Sequence, residues 1–385
     1  MKSDLLVRGA RVIDGTGAPW FVGDVRLSAG RITAVSTALA ADGAEVLDAN
    51  GRYLAPGFID AHCHDDLICL REPERVEKAA QGVTTLVVGN CSFSLYPSVL
   101  GSAELLRQHF SGLLGETAAD EVFDSFASYR AALHERGTAL NLVSLVGHAA
   151  LRLAVMGYER RPATATERAT IQTMLSRQLA DGAVGLSLGL VYPPSAYADE
   201  AELVALAETV KAHGKILAAH IRSYEAGLGA STDEFLNILR SSGAAGLLSH
   251  LQSAGRPNWG NVPATIDKLE AARRDGIDVS FDMYPYPAGS SYVLQLLPPE
   301  ALERRPSRLT GTVARPGWPR GTAQGSRGRQ SRPDGRAIQD RSDRLGQRAH
   351  LGNQQPRPQA FRGQVDGHCR RRGRHHTLRF DGPLH

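Results

Sequence analysis

Five times between residues 135 and 284 the chain repeats one pattern, in which a helix-compatible stretch closes on glycine and a short apolar run comes next. The segments are ERGTALNLVSLVGH, LADGAVGLSLGL, KAHGKILAAH, RSSGAAGLLSH and RRDGIDVSFDMY. Gly137, Gly182, Gly214, Gly243 and Gly276 stand where a left-handed helix cap is wanted. Helix starts are marked too. Thr164 with Glu167 and Ser231 with Glu234 have capping-box spacing, and Asp199 is placed to cap the helix whose apolar stripe is Leu203, Leu206, Ala207 and Val210. The apolar runs are nearly continuous, which predicts parallel strands covered on both faces. Two earlier runs, GFIDAHCH and VTTLVVGNC, bring the count to seven. Such alternation predicts an α/β fold, a (β/α)8 TIM-like barrel incomplete at its C-terminal end. An open doubly wound sheet is the alternative, but no G-x-G-x-x-G comes after the first strand to suggest a dinucleotide site.

The barrel is expected over residues 57–300. Before it, residues 1–56 read as short strands broken by turns at Asp14-Gly15, Ala29-Gly30 and Asn50-Gly51, a small β domain that would be an incomplete β-sandwich. After it the composition changes abruptly. Residues 301–385 hold 19 Arg, no Lys and 6 acidic residues, a net +13; with +4 for the whole chain, the preceding 300 residues carry −9. Leu, Ile and Val are scarce in this Arg/Gly/Pro-rich tail, so it is expected to be disordered. The abruptness also suggests a shifted reading frame in a GC-rich gene, a question for the nucleotide sequence. The tail has almost no aromatic residue to stack on bases and no recognised nucleic-acid fold, so no nucleic-acid partner is expected.

No stretch approaches the roughly 18 apolar residues that span a bilayer, and the N-terminus lacks an unbroken apolar signal region. A cytoplasmic protein without membrane contact is the expectation. Cys63, Cys69, Cys91 and Cys369 are too few for a disulfide framework in 385 residues, so metal binding or thiol chemistry is the better use of any special one. The sequence leaves the oligomeric state open.

Chemistry in a barrel of this kind sits at the carboxyl ends of the strands. Several of those ends carry a metal-binding side chain: His62 and His64 on the first strand, Cys91 on the second, His220 on the fifth and His250 on the sixth. Alternation turns His62 and His64 to one side of their strand and Cys63 to the other. Cys63 and Cys69 are expected to be buried apolar residues. His148, which closes the run LVGH, is open between site and scaffold, whereas His109, His134 and His213 fall in helices.

Together PGFIDAHCHDD, GNCSFS, VGHAALRLAVMG, GLSLGLVYPPSAYA, AAHIRS, LSHLQSAG and DMYPYPAGSSY resemble the amidohydrolase superfamily and, within it, the N-acyl-D-amino-acid deacylases, or D-aminoacylases, over roughly residues 4 to 300. Many members of the superfamily place a carboxylated lysine on strand four; here that strand ends SLGLVYPP, without lysine, and Cys91 matches the cysteine ligand of the D-aminoacylases. The resemblance implies a tight Zn2+ held by Cys91, His220 and His250, and a weaker second metal at His62 and His64. It implies Tyr192, Tyr284 and Ser290 in the substrate pocket. Arg222 is a candidate for the substrate carboxylate or for a structural ion pair. Gln252 replaces a lysine common in the family.

The implied reaction is metal-assisted hydrolysis of an N-acyl amino acid, with a strand-eight aspartate as the base. Asp381, in the terminal RFDGPLH, echoes that aspartate's motif. Two other readings stay open: a cyclic-amide hydrolase of hydantoinase or dihydroorotase type, and an inactive metal-binding remnant whose barrel does not close.

Overall fold

The structure, a computed structural model, describes residues 4–99 and 101–286, all within one unit of the chain, Met1–Thr310. Ser290, Asp381 and the Arg-rich tail lie outside the described residues.

The N-terminal sheet comprises β1 (Leu5–Val12), β2 (Phe21–Ser28), β3 (Arg31–Ser36), β4 (Glu45–Asp48) and β5 (Tyr53–Leu54), in the order β3-β2-β1-β4 with β5 also on β1. The turn expected at Ala29-Gly30 joins β2 to β3, with positive φ at both residues (50° and 76°), the backbone a two-residue hairpin needs. Val7, Ala10, Val12 and Val25 form a small core. Beside it the buried Asp24 accepts hydrogen bonds from the Gly9 and Leu39 amides, which hold its carboxyl below the usual range.

The second sheet has the seven expected strands: β6 (Phe58–Asp60), β7 (Val83–Val88), β8 (Asn141–Gly147), β9 (Gly185–Gly189), β10 (Ile216–His220), β11 (Ala245–Leu248) and β12 (Val279–Phe281). They lie in chain order and every pair is parallel. With helices between successive strands, this is an incomplete (β/α) barrel. The nearly continuous apolar runs result from covering on both faces: all five residues of β9 are buried. No described helix is long and apolar enough to cross a membrane.

The five glycines all adopt positive φ, but only Gly137 and Gly243 are themselves the cap; Gly182, Gly214 and Gly276 stand one residue later. Thr164 and Glu167 form the expected capping box, and Asp199 accepts from the Glu202 amide at 2.9 Å. Ser231 and Glu234 do not cap. Their helix begins earlier, at Leu228 after Gly227, so both lie inside it, and the Glu234 carboxylate is bound instead by Arg222.

His148 is scaffold. It starts the helix His148–Met156, wholly buried, with Nδ1 2.5 Å from the Ser195 hydroxyl and Nε2 2.8 Å from Glu202 Oε1. Arg152, also wholly buried, donates to both oxygens of Glu202 and to the Arg161 carbonyl. Burial holds His148 below its ordinary pKa, so the neutral ring donates from Nε2 and accepts the serine hydroxyl at Nδ1. Burial alone would raise Glu202, but His148 and Arg152 outweigh it and hold the carboxyl at about 2.

Because that folded pKa is depressed, the cluster's stabilisation is present above the ordinary glutamate range and is lost as pH falls from there toward about 2. Glu202→Gln leaves a buried guanidinium without its counter-charge and is expected to cost about 3–5 kcal/mol in urea unfolding at pH 7. The gap between variant and parent should narrow in acid.

Candidate metal centre

His62 and His64 lie just past the end of β6. That end is tied down by Asp60, which accepts from the His62 amide at 3.3 Å and pairs with Lys78 at 2.6 Å. As alternation requires, Cys63 points away: it is buried, with its amide and thiol both directed at the Val87 carbonyl. Cys91 sits in the turn Asn90–Ser92 after β7 with φ 54°, and Ser92 is next at φ 78°. His220 is the last residue of β10, and His250 stands two residues past β11 with φ 37°. Left-handed backbone at non-glycine residues costs of order 1–3 kcal/mol each and persists only where the surroundings impose it.

Here the surroundings are glycines and serines. A Cβ at Gly189 would stand 2.3 Å from the Cys91 carbonyl oxygen, and one at Gly147 would stand 2.4 Å from that of Ser92. Only glycine lets β8 and β9 approach the turn so closely. Ser187 Oγ accepts from the Ser92 amide at 3.0 Å, and Ser92 Oγ accepts from the Ala149 amide at 2.6 Å.

The side chains converge from four strand ends. Cys91 Sγ lies 3.3 Å from His62 Nε2 and 3.3 Å from His250 Nε2, and the donor atoms of these three residues all fall within 4.8 Å of one another. His220 stands beside this group, with its ring centroid 4.5 Å from that of His250. His64 stands at the edge of the group, 5.6 Å from His62 between ring centroids.

Burial would push the Cys91 thiol up, but the His62 charge and hydrogen bonds with His220, His250 and His62 outweigh it and pull the group well below an ordinary thiol. Burial would likewise lower His62, yet the Cys91 thiolate and the Asp282 carboxylate raise it to about 10. A thiolate with imidazoles is a donor set suited to Zn2+. Among the described residues the buried Nδ1 atoms of His64, His220 and His250 have no hydrogen-bond partner, so these rings are not committed there to a hydrogen-bonded scaffold through that nitrogen.

The remaining candidates divide. Tyr192 is buried with its ring 4.9 Å from His220. Tyr284 donates to Gln252 Oε1 at 2.8 Å, and its ring lies 6.3 Å from His250. Arg222 is the structural ion pair: Nε meets both Glu234 oxygens at 2.8 and 3.0 Å, and its terminal nitrogens donate to the Ala196 and Ala198 carbonyls. Among the other cysteines, burial pushes Cys69 up to about 12 and Cys63 higher still.

Two contributors were not anticipated. Asp282 contacts His62 Nδ1 at 3.0 Å from just past β12; the signal for it was an acid at the same kind of strand end as the histidines. Tyr224, its ring 5.0 Å from both His220 and His250 and its hydroxyl donating to the Ser249 carbonyl, had no comparable signal.

Comparison with known proteins bears on the family and the fold. A family model described as "Amidohydrolase family" matches residues 45–287. An N-acyl-D-glutamate deacylase of Alcaligenes xylosoxydans xylosoxydans is 40% identical over 317 residues, 82% of this chain and 63% of that protein. The solved N-acyl-D-glutamate deacylase of Bordetella bronchiseptica, complexed with zinc and a phosphonate mimic of the tetrahedral intermediate, superposes with TM-score 0.68 at 40% identity. That match covers 74% of this chain and 59% of that one. A D-aminoacylase with a binuclear metal centre, activated by one metal and attenuated by the second, gives TM-score 0.65 at 35% identity, over 74% and 59% of the two chains. The chain thus spans about three fifths of the length of these relatives.

The metal-stripped protein is expected to show the short-wavelength ultraviolet absorbance of a thiolate at pH 7, which Cys91→Ser removes. Equal absorbance in parent and variant would show that Cys91 is an ordinary protonated thiol.

Proposed function

The chain belongs to the amidohydrolase family, and from that premise we propose that it hydrolyses N-acyl-D-amino acids to a carboxylate and a free D-amino acid, with zinc as its metal. The observation that carries this reading is Cys91, a thiol pulled toward thiolate among the imidazoles of His62, His220 and His250 at the mouth of a barrel whose β9 ends without lysine. Cys91, His220 and His250 are assigned to one tight site. His62 and His64 are assigned to a weaker second site, with the Cys91 sulfur within reach of both.

Cys91, His220 and His250 would hold the zinc, which when bound would supply a Lewis acid for the amide carbonyl and lower the pKa of water toward about 7. The chain's own residues orient the substrate. Tyr192 walls the site beside His220, while the Tyr284 hydroxyl and the Gln252 amide form a neutral hydrogen-bonding pair facing the amino-acid carboxylate. Arg222 is left out of that role, because Glu234 already neutralises it. Ser290 is assigned a further carboxylate contact. Asp381 is assigned the base that takes the water's proton and passes it to the leaving amine.

The test is a panel of N-acetyl-D-glutamate, N-acetyl-D-aspartate, N-acetyl-D-methionine, their L enantiomers and hydantoin, with the zinc-loaded full chain. Turnover of one or more D substrates, abolished by chelation and lowered about 10³-fold or more in kcat/KM by Cys91→Ala, is expected. Loss of activity in Asp381→Ala is expected as well. Hydrolysis of hydantoin alone would replace the reading with a cyclic-amide hydrolase, and zinc binding without any turnover would leave a metal-binding remnant.

A further inference from the structure

The first and last strands of the seven-stranded sheet, β6 and β12, are its two ends, and no backbone pairing joins them among the described residues. One side-chain contact does link the segments at their carboxyl ends. Asp282, immediately after β12, places Oδ2 3.0 Å from His62 Nδ1, beyond β6. Its Oδ1 accepts from the backbone amide of His250, the residue with φ 37°. The Asp282 backbone continues the ladder, donating to the Leu248 carbonyl at 3.1 Å and accepting from the Leu251 amide at 2.8 Å. Both side chains of the Asp282–His62 pair are nearly buried, at 13% and 14% exposure, where a charge-assisted hydrogen bond is little screened.

We propose that Asp282 is the positioning residue of the metal centre, orienting His62 through one carboxylate oxygen and fixing the His250 turn through the other. An aspartate that accepts from Nδ1–H leaves Nε2 of His62 facing Cys91 as the coordinating nitrogen. An asparagine amide donating to Nδ1 would instead put the ring proton on Nε2 and block that nitrogen. Both Asp282 oxygens already hold hydrogen bonds to the cluster, which separates this role from that of a base moving a substrate proton.

The inference rests on the metal-binding part of the proposed function and not on the substrate, so its test measures binding. Zinc affinity is measured on the chelator-stripped full chain by competition with a chromogenic chelator. Cobalt(II) reports Cys91 through its thiolate charge-transfer band, and circular dichroism with thermal unfolding reports the fold. The variants are Asp282→Asn, Asp282→Ser, His62→Ala and the double variant Asp282→Asn with His62→Ala.

Asp282→Asn and Asp282→Ser are expected to keep the parent circular dichroism and a cooperative transition while losing about 10–100-fold in metal affinity. Adding Asp282→Asn to His62→Ala is expected to cost less than it does in the parent, because the part that acts through His62 is already lost and the His250 contact alone remains to be broken. Parent affinity and an unchanged cobalt spectrum in the Asp282 variants would overturn the inference, and would make Asp282 a proton-transfer group if turnover alone were lost. Failure of both Asp282 variants to fold would also overturn it, by assigning Asp282 to the scaffold. Turnover of D substrates by the parent alongside unchanged affinity in the Asp282 variants would sink this inference and leave the proposed function standing, whereas lost affinity in those variants with no turnover by the zinc-loaded parent would do the reverse.

Discussion

A parallel sheet delivers the carboxyl end of every strand to one side of the molecule, and the rest of the site depends on that geometry. Cys91 meets His250 across 159 residues of sequence and His62 across 29, although none of these lies near another in the chain. The connecting helices give no side chain to the cluster. They cover the sheet, let the strands be apolar on both faces, and so fix the register that carries His220 to the last position of β10.

The cluster is costly for the fold alone. It buries a thiol drawn toward thiolate beside a histidine drawn toward its protonated form, and holds Cys91, Ser92 and His250 in left-handed backbone. Part of the cost is offset by pairing: His62 lies between the Cys91 sulfur and the Asp282 carboxylate, so each buried charge has an opposite neighbour. A different solution operates where His148, Arg152, Glu202 and Ser195 hydrogen-bond one another in a wholly buried group. That network leaves one buried donor, Arg152 Nε, without a partner among the described residues. The metal centre keeps buried ring nitrogens on His64, His220 and His250 without partners among the described residues.

The strands and most helix ends were legible in the sequence because their signals are local: an apolar run, a neighbouring glycine, an acceptor immediately before a helix. The ligand-type residues were legible for a related reason, since each ends one repeat of a periodic pattern. Ser231 misled because capping-box spacing is a local coincidence once the helix has begun at Leu228. His148 and Arg222 could not be assigned from spacing, because their roles are decided by a carboxylate from another turn of the fold, Glu202 and Glu234 respectively. Asp282 was missed although it lies in the DMYPYP segment that carried the family resemblance. An acid after a strand reads as a surface residue until its partner, 220 residues earlier, is seen.

The central claim is that Cys91, and not a lysine carbamate or an all-imidazole set, anchors the metal. X-ray absorption at the zinc edge of the stoichiometrically loaded full chain tests it directly. A first shell containing one sulfur at about 2.3 Å with nitrogen or oxygen neighbours near about 2.0–2.1 Å is the expected result. A shell of nitrogen and oxygen alone, unchanged in Cys91→Ser, would contradict it.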